Sequence, residues 1–289
     1  GELHERVFRD VVALHRELEF DMVRPVAETG PRPSRKLDER TYVVETPDGG
    51  RTTYLFNEAS QTFAAREERP LTADEVRAQV ERMERSLETF SPKAEDYAVY
   101  RRYAEALPGL AVCASGVTMS IPMRSPYLEL TALEPELIER YIEAQTQTIL
   151  RRIPLLAEAG ADVALGGGDL ASGKGPVYSP NTFRRIMLPR FRRIVEACRD
   201  YGMPYIFRTD GWLWPLMDML FREVGCEGYG EIDAAAGMDL GEVRAKFPRL
   251  VFWGNVPCGT LLVRGTPQEV RTFARQCVER GYLLSFAGT

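Results

Sequence analysis

An apolar strand that ends in polar residues and leads into a helix recurs along the second half of this sequence. Four such strands are Ala161–Leu165, Pro204–Phe207, Gly228–Glu231 and Leu250–Trp253. Strands that alternate with helices indicate parallel βα units, and eight such units close into a barrel. In that architecture the residues at the carboxyl ends of the strands line the active site. The repeat therefore predicts an α/β fold, a (β/α)8 TIM barrel, whose strand-end side chains form the site.

The rest of the chain is predicted to complete one domain over residues 1–289, with additions near its N-terminus. Two β-rich runs around the turn Pro47-Asp48-Gly49-Gly50 predict a hairpin inserted at residues 40–58. Apolar spacing and capping patterns predict extra helices. The predicted helices are Glu2–Glu17, Ala73–Thr89, Lys93–Ala106, Pro135–Ala159, Asn181–Tyr201 and Thr266–Arg280. Further strands are predicted at Phe20–Val23, Leu110–Ser115 and Leu283–Phe286. This makes seven candidate barrel strands, and we expect that a last βα unit is missing from this sequence.

Composition and charge limit which binding partners and which cell compartment are expected. With a net charge of −5, the chain is a poor general binder of nucleic-acid phosphates. No apolar run approaches the roughly 20 residues that span a bilayer, and no charged-then-apolar leader is present. The five cysteines contain no C-x-x-C pair, which favours reduced thiols. We therefore expect a cytoplasmic protein with a small-molecule substrate and no nucleic-acid or membrane partner.

The sharpest local motif is Arg208-Thr209-Asp210-Gly211, which directly follows a predicted strand. Residues two apart on a strand point to the same side, so Arg208 and Asp210 are predicted to face the barrel mouth together. The planar guanidinium of Arg208 suits a substrate carboxylate, and Asp210 is a catalytic candidate. The alternative is an ion pair at the barrel rim with a structural role only.

Two further strand ends carry carboxylates. Glu231 and Asp233 are also two residues apart, and such a pair performs acid–base chemistry when one pKa is raised. They equally suit capping of the next helix or pairing with Arg208. Asp169 ends the glycine-rich loop Gly166-Gly167-Gly168, which matches no phosphate-loop pattern and is interpreted as a tight strand-end turn. We therefore predict Glu231 and Asp169 as catalytic, and Asp233 as a substrate contact.

Other residues are placed at the mouth by the loops that carry them. Asn255 is predicted to orient the substrate, and Trp212 to wall an apolar pocket, although helix packing explains Trp212 equally well. Met119 and Tyr178 lie in loops that follow other strands and are predicted to contact substrate. Cys258 is also expected at the mouth, but a lone thiol is usually inert.

Several motifs, in their order and spacing, resemble the uroporphyrinogen decarboxylase superfamily from about Leu110 to Thr289. They are Ala159-Gly160-Ala161-Asp162, Ser179-Pro180 with Phe183 and Pro189, Thr209-Asp210-Gly211, Ala236-Gly237-Met238-Asp239-Leu240, Gly254-Asn255-Val256 and Gly265-Thr266-Pro267-Gln268-Glu269-Val270. The resemblance implies a (β/α)8 barrel, often a homodimer, with one of two activities. One is cofactor-free decarboxylation of the acetate arms of uroporphyrinogen. The other is methyl transfer between a corrinoid and a thiol, with a zinc-bound thiolate as acceptor.

The sequence departs from both branches at the residues that carry their chemistry. The N-terminal Arg-Gln-Ala-Gly-Arg-Tyr-type loop of the decarboxylases has no counterpart here. Where the methyltransferases place His-x-Cys-Gly for zinc, this chain has Arg208-Thr209-Asp210-Gly211, and their third ligand falls near Ala287. Arginine does not ligate metals, and both histidines lie in the first predicted helix. The usual zinc ligands are therefore absent.

A site for zinc or another divalent metal is still conceivable from the side chains that remain. Carboxylates suit hard cations, and Asp169, Asp210 and Glu231 are all predicted at the mouth. Together with a thiol at Cys258, Asp210 and Glu231 are the weak metal candidates. No cofactor is predicted with certainty.

Three functions follow from the residues and the resemblance. The first is a divergent methyltransferase-like enzyme that acts on a methylated small molecule, with a corrinoid as substrate and a corrinoid carrier protein as partner. The second is cofactor-free decarboxylation of uroporphyrinogen or another carboxylated molecule, with Arg208 holding the carboxylate and Asp210 stabilising positive charge. The third is a barrel that binds a small molecule without catalysis.

Overall fold

The computed structural model describes residues 2–26, 33–45, 51–59, 62–66 and 70–282. In chain order the strands are β1 (Met22–Val23), β2 (Arg35–Lys36), β3 (Thr41–Glu45), β4 (Arg51–Asn57), β5 (Thr62–Arg66), β6 (Ala111–Ala114), β7 (Val163–Gly167), β8 (Ala171–Ser172), β9 (Gly175–Pro176), β10 (Tyr205–Arg208), β11 (Gly228–Gly230) and β12 (Val251–Trp253). The helices are α1 (Glu2–Glu17), α2 (Ala73–Thr89), α3 (Ala98–Ala106), α4 (Tyr127–Leu133), α5 (Pro135–Glu158), α6 (Pro180–Thr182), α7 (Leu188–Asp200), α8 (Leu240–Lys246), α9 (Leu261–Arg264) and α10 (Pro267–Tyr282).

The central element is a parallel sheet with the order β1-β6-β7-β10-β11-β12, which follows the chain from one edge to the other. Its two edge strands curve toward each other, because Met22 of β1 and Val251 of β12 line one cavity of about 650 Å³. The fold is therefore α/β, with the parallel sheet forming half a barrel. The first six predicted strands are confirmed with small shifts of their ends, and Leu283–Phe286 lies outside the described residues.

The two faces of this sheet bury different groups. The outward side chains, among them Tyr205, Phe207 and Tyr229, are buried in the main core with the helices. On the inner face, Leu165 and Ile206 pack against Cys113 in a small separate cluster. Because side chains alternate along a strand, the residue two positions after Ile206 also points inward. The strand pattern thus directs a charged side chain toward the barrel mouth.

The predicted hairpin is confirmed as the antiparallel pair β3–β4, in which Thr41 is opposite Leu55. The prediction of an isolated hairpin at 40–58 was incomplete, because the pair is part of a four-stranded sheet ordered β2-β3-β4-β5. Strand β2 has two residues, and every residue of β5 is exposed, so neither shows an alternating apolar pattern. The predicted turn at residues 47–50 lies outside the described residues.

The predicted helices are present with local differences. The segment Lys93–Ala106 begins as a 3₁₀ turn (Ala94–Tyr97) before α3, and α4 falls in a region for which no helix was predicted. Between α6 and α7, Phe183–Met187 forms π-helical turns. Pro189 lies two residues after this segment, and proline cannot donate a backbone hydrogen bond into the preceding turn. Of the helices in the described ranges, none has the length and apolarity required to cross a bilayer.

The start of α2 carries a capping box whose contribution to stability can be measured. Thr72 Oγ1 accepts a hydrogen bond from Glu75 N at 3.3 Å, and Glu75 Oε2 accepts one from Thr72 N at 2.8 Å. Thr72→Ala leaves these amide donors to water, so we expect a loss of about 1 kcal/mol in the free energy of unfolding, measured in urea. Thr89→Ala at the other end of α2 is the control. An equal loss in both variants would show that the cap itself does not stabilise the helix.

Candidate functional site

The strand-end residues of β7, β10, β11 and β12 surround a cleft of about 660 Å³ at the barrel mouth. Four acidic side chains are among the residues that line it, most of which lie on the loops that leave these strands. Those predicted from sequence are Asp169, Asp210, Glu231, Asp233, Asn255 and Cys258. The structure therefore brings together the three predicted catalytic carboxylates, as parallel strands with adjacent carboxyl ends require.

Arg208 lies below these carboxylates on the inner face of the sheet. Its stem crosses Gly230, where an added Cβ would lie 2.9 Å from Arg208 Cγ. The guanidinium Nη1 donates a hydrogen bond to Glu231 Oε1 at 2.8 Å, while the buried Nε has no partner in the described residues. Of the alternatives for Glu231, pairing with Arg208 is thus the geometry observed. Arg208 also lines the cavity of about 650 Å³, where its guanidinium can meet a further anionic group.

Glu231 reaches Arg208 through an unusual backbone conformation. Its φ is +63°, in the left-handed region that non-glycine residues seldom occupy. Glu231 follows Gly230 at the end of β11, where regular alternation would turn its side chain away from the inner face. Such strain is characteristic of functional sites. The local backbone therefore places a carboxylate beside the inward-facing guanidinium.

Asp210 is the carboxylate whose protonation is most perturbed in the cleft. Although the side chain reaches solvent, partial burial raises the pKa of Asp210 above its ordinary value of 3.8, and the charges of Asp169 and Asp233 raise it further. Burial and nearby negative charge both disfavour the ionised form. The protonated form of Asp210 is therefore favoured relative to that of a free aspartate.

Asp233 holds the loops of the cleft in place. Asp233 Oδ1 accepts hydrogen bonds from the backbone N of Ala235 at 2.9 Å and of Ala236 at 3.2 Å. Its Oδ2 accepts one from Gly211 N at 3.3 Å, which ties the loop after β10 to the loop after β11. These bonds occupy Asp233 with backbone donors, so the structure places it as a loop organiser next to Asp210.

Asn255 is the second residue that holds the loops of the cleft in place. With a φ of +106°, it donates from Nδ2 to Ile232 O at 3.1 Å. That bond joins the end of β12 to the loop that carries Asp233. Asn255 lines the cleft, as predicted, but its amide nitrogen is engaged with the backbone.

Three predicted substrate contacts lie away from the cleft lining. Met119 is 2% exposed in the core, where Thr146 Oγ1 contacts its sulfur at 3.4 Å. Tyr178 is buried as well, and its hydroxyl has no partner in the described residues. Trp212 lies beside the β8–β9 hairpin near Gly175. Each loop does follow a barrel strand, but the loop turns these side chains toward the core or the hairpin.

Trp253 is a cleft residue that the sequence reasoning missed. It lines both the cleft and the inner cavity beneath it. Register could have identified it, because Arg208 is opposite Gly230 and Gly230 is opposite Trp253. The bare Gly230 therefore lets an indole and a guanidinium share the inner face of the sheet.

The donor set of the cleft does not fit zinc. Within the ranges that the structure describes, no group of three or more His, Cys, Asp or Glu side chains is arranged to hold a metal ion. The candidates Asp210, Glu231 and Cys258 line one cleft without forming such a group. Glu231 is moreover paired with the guanidinium of Arg208, which opposes a cation at that point.

Comparison with known proteins supports the resemblance found in the sequence. Residues 63–287 match the family described as uroporphyrinogen decarboxylase (URO-D). No curated protein matches the sequence. Among solved structures, a methyltransferase from Methanosarcina mazei has a similar fold, with a TM-score of 0.59 and 16% sequence identity. The match covers 94% of this chain and 75% of that one, and at this identity it bears on the fold alone.

Proposed function

Because this chain belongs to the uroporphyrinogen decarboxylase (URO-D) family, we propose that it is an enzyme that transfers a methyl group from a small molecule bound in the strand-end cleft. One observation carries the proposal: Asp210 lies in that cleft with a pKa raised by burial and by neighbouring carboxylates. An acid that keeps its proton to higher pH serves a reaction that releases a basic leaving group. Methyl transfer from oxygen or nitrogen is such a reaction.

The step balances with Asp210 as general acid. The bond between the methyl carbon and the heteroatom breaks, and its electron pair stays on the heteroatom. Asp210 donates its proton to that atom, while the methyl carbon bonds to the acceptor nucleophile. The acceptor proposed here is the reduced corrinoid of a carrier protein, which arrives as a substrate. A zinc-activated thiol is not used, because the cleft residues do not fit zinc.

The charge of the cleft favours this reaction over decarboxylation of uroporphyrinogen. Asp169, Asp210, Glu231 and Asp233 line the cleft, with Arg208 as the cation paired to one of them. A polycarboxylate such as uroporphyrinogen would be repelled by this arrangement. A neutral or cationic methyl donor would not be repelled, and a donor with a single negative charge would be repelled far less than a polycarboxylate.

Decarboxylation of a monocarboxylate is the second candidate, and one observation favours it. Arg208 lines the cavity of about 650 Å³ beneath the cleft, so one substrate carboxylate has a cation to bind there. Asp210 would then protonate the carbon from which carbon dioxide has left. Both candidates use Asp210 as the acid, and they differ in the bond that breaks.

We also infer that the half-barrel sheet is part of a closed (β/α)8 barrel and that residues 1–289 form a single domain. The parallel strand order and the curvature of the sheet support this inference. A homodimer and a cytoplasmic location stay predictions.

The test is a product assay with donors matched in size and different in charge. The purified protein is mixed with free cob(I)alamin and, in turn, 4-methoxybenzoate, 4-methoxybenzyl alcohol and trimethylphenylammonium. The proposal expects methylcobalamin, followed by absorbance, from at least one donor, and no carbon dioxide from uroporphyrinogen. Release of carbon dioxide from uroporphyrinogen or from 4-methoxybenzoate, without formation of methylcobalamin, would show that the enzyme is a decarboxylase and not a methyltransferase. Tight binding of a donor without either product would leave a non-catalytic binding barrel.

A further inference from the structure

A second cavity, of about 530 Å³, lies beside the carboxyl end of β6 and shares no lining residue with the strand-end cleft. It is formed where the loop after α2, the start of α3, the turn after β6 and the middle of α5 meet. Its lining is aromatic with one guanidinium, and includes Phe90, Ser91, Tyr97, Tyr100, Gly116 and Arg152.

Arg152 is a half-buried cation without a counterion in the described residues. Its guanidinium carbon lies 5.4 Å from the centre of the Phe90 ring, and it has no carboxylate within ion-pair distance in the described chain. The cavity contains one acid, Asp96, whose Oδ2 accepts a hydrogen bond from Lys93 N at 2.9 Å. The adjacent Arg151 differs, because it donates to the carbonyl of Phe90 and closes α2. Arg152 therefore keeps its planar donors for another group.

The turn after β6 brings bare backbone close to this guanidinium. Gly116 has a φ of +77°, and a Cβ added there would lie 3.7 Å from Arg152 Nη1. On the other side of the same turn, Arg24 Nε donates to Ser115 Oγ at 2.9 Å. Burial raises the pKa of both cavity tyrosines; Arg152 opposes that rise at Tyr97, where Asp96 adds to it, and Arg24 opposes it at Tyr100, so two guanidiniums stand against one carboxylate around the cavity. The cavity thus attracts an anion.

We propose that this cavity binds a planar aromatic monocarboxylate, with its carboxylate on the guanidinium of Arg152 and its ring against Tyr97 and Phe90. The fork of an arginine matches a carboxylate in two parallel hydrogen bonds. Aromatic walls favour a flat ring by offset or edge-to-face packing. The volume falls within the range of about 300–1,000 Å³ that small-molecule sites occupy. This site is additional to the proposed function and does not depend on it.

Benzoate is the probe, with acetate and benzyl alcohol as comparators that lack the ring or the charge. Isothermal titration of the full chain is expected to show benzoate binding more tightly than either comparator. Arg152→Gln is expected to weaken benzoate at least about tenfold, because a charge-assisted hydrogen bond is lost. Tyr97→Leu, which keeps the charge, is expected to weaken benzoate while leaving acetate unchanged.

Two matched variants show whether benzoate binds in this cavity or elsewhere on the chain. Arg82→Gln removes the same charge from an exposed position of α2 and is expected to leave benzoate binding unchanged. Arg208→Gln tests the strand-end cleft, and the part of benzoate binding that depends on Arg152 is expected to remain in it. Equal affinity for benzoate and acetate would overturn the proposal. So would full binding by Arg152→Gln, or loss of binding in Arg208→Gln with retention in Arg152→Gln.

Discussion

Replacing Asp210 with asparagine is expected to lower turnover by about 10²–10⁴-fold, the usual contribution of a positioned general acid. Asparagine keeps the shape and the hydrogen-bonding capacity of the side chain but has no proton to give. The loss should appear in kcat and kcat/KM together, because protonation of the leaving group occurs in the transition state. Substrate affinity should change little. The assay is methyl transfer by the wild type and the variant under the same conditions.

The stability of Asp210→Asn distinguishes this loss from misfolding. The pKa of Asp210 is raised in the native state, so ionisation at this position disfavours folding. The stability it contributes is fully present below the unfolded-state pKa and is lost as pH rises through the native-state pKa. At neutral pH the variant should therefore unfold at a temperature no lower than the wild type. Asp200→Asn, at the exposed end of α7, is the control for removing one carboxylate.

The pH dependence of turnover follows from the same shift. The acid form of Asp210 is the active one, so turnover should decline as pH rises through its raised pKa. In Asp210→Asn the residual turnover should not show this decline. A variant that retains turnover within a few-fold of the wild type would contradict the role of Asp210. Loss of turnover together with a lower unfolding temperature would point instead to structural damage.

Gly167→Ala is expected to destabilise the fold by more than about 4 kcal/mol, or to prevent folding. A Cβ at Gly167 would lie 2.0 Å from Arg208 O, and its φ of +121° is unfavourable for alanine. The obstructing atoms belong to the backbone of β10, so the strand itself would have to move. Because Arg208 is opposite Gly167 in the β7–β10 pairing, the site would be lost with the sheet.

Gly173→Ala is the matched control for this substitution. Gly173 is exposed at the tip of the β8–β9 hairpin, and an added Cβ there would have no neighbour within 4 Å. We expect its free energy of unfolding in urea to stay within about 0.5 kcal/mol of the wild type. Similar unfolding midpoints for Gly167→Ala and Gly173→Ala would show that the close approach of β7 and β10 is not required.

Much of the strand-end chemistry could be predicted from sequence, because a parallel barrel fixes where strands end. Asp169, Asp210 and Glu231 lie in the same cleft for that reason alone. Strand alternation likewise predicts the inward side chain of Arg208. The partner of Arg208 required the structure: the left-handed φ of Glu231 departs from alternation, and no apolar pattern encodes it.

Loops account for the predictions that the structure did not place in the cleft. The sequence indicates that Met119 and Tyr178 follow strands, yet both are buried in the main core, Met119 against Thr146 of α5. Asp233 does line the cleft as predicted, but its hydrogen bonds could not be predicted from the sequence. Its spacing from Glu231 suggested a matched pair, but backbone donors of two loops engage both of its oxygens. Hydrogen bonds between distant loops leave no periodic pattern in a sequence.

The role of Asp210 as an acid is tested most directly by its own pKa. Carbon-13 NMR of the aspartate carboxyls, followed through a pH titration, gives this value, and Asp210→Asn identifies the resonance by its absence. We expect Asp210 to titrate above the ordinary aspartate pKa of 3.8, because partial burial and its acidic neighbours both disfavour its ionised form. A titration at or below that value would contradict this role, because Asp210 would then be ionised at working pH and could not supply the proton.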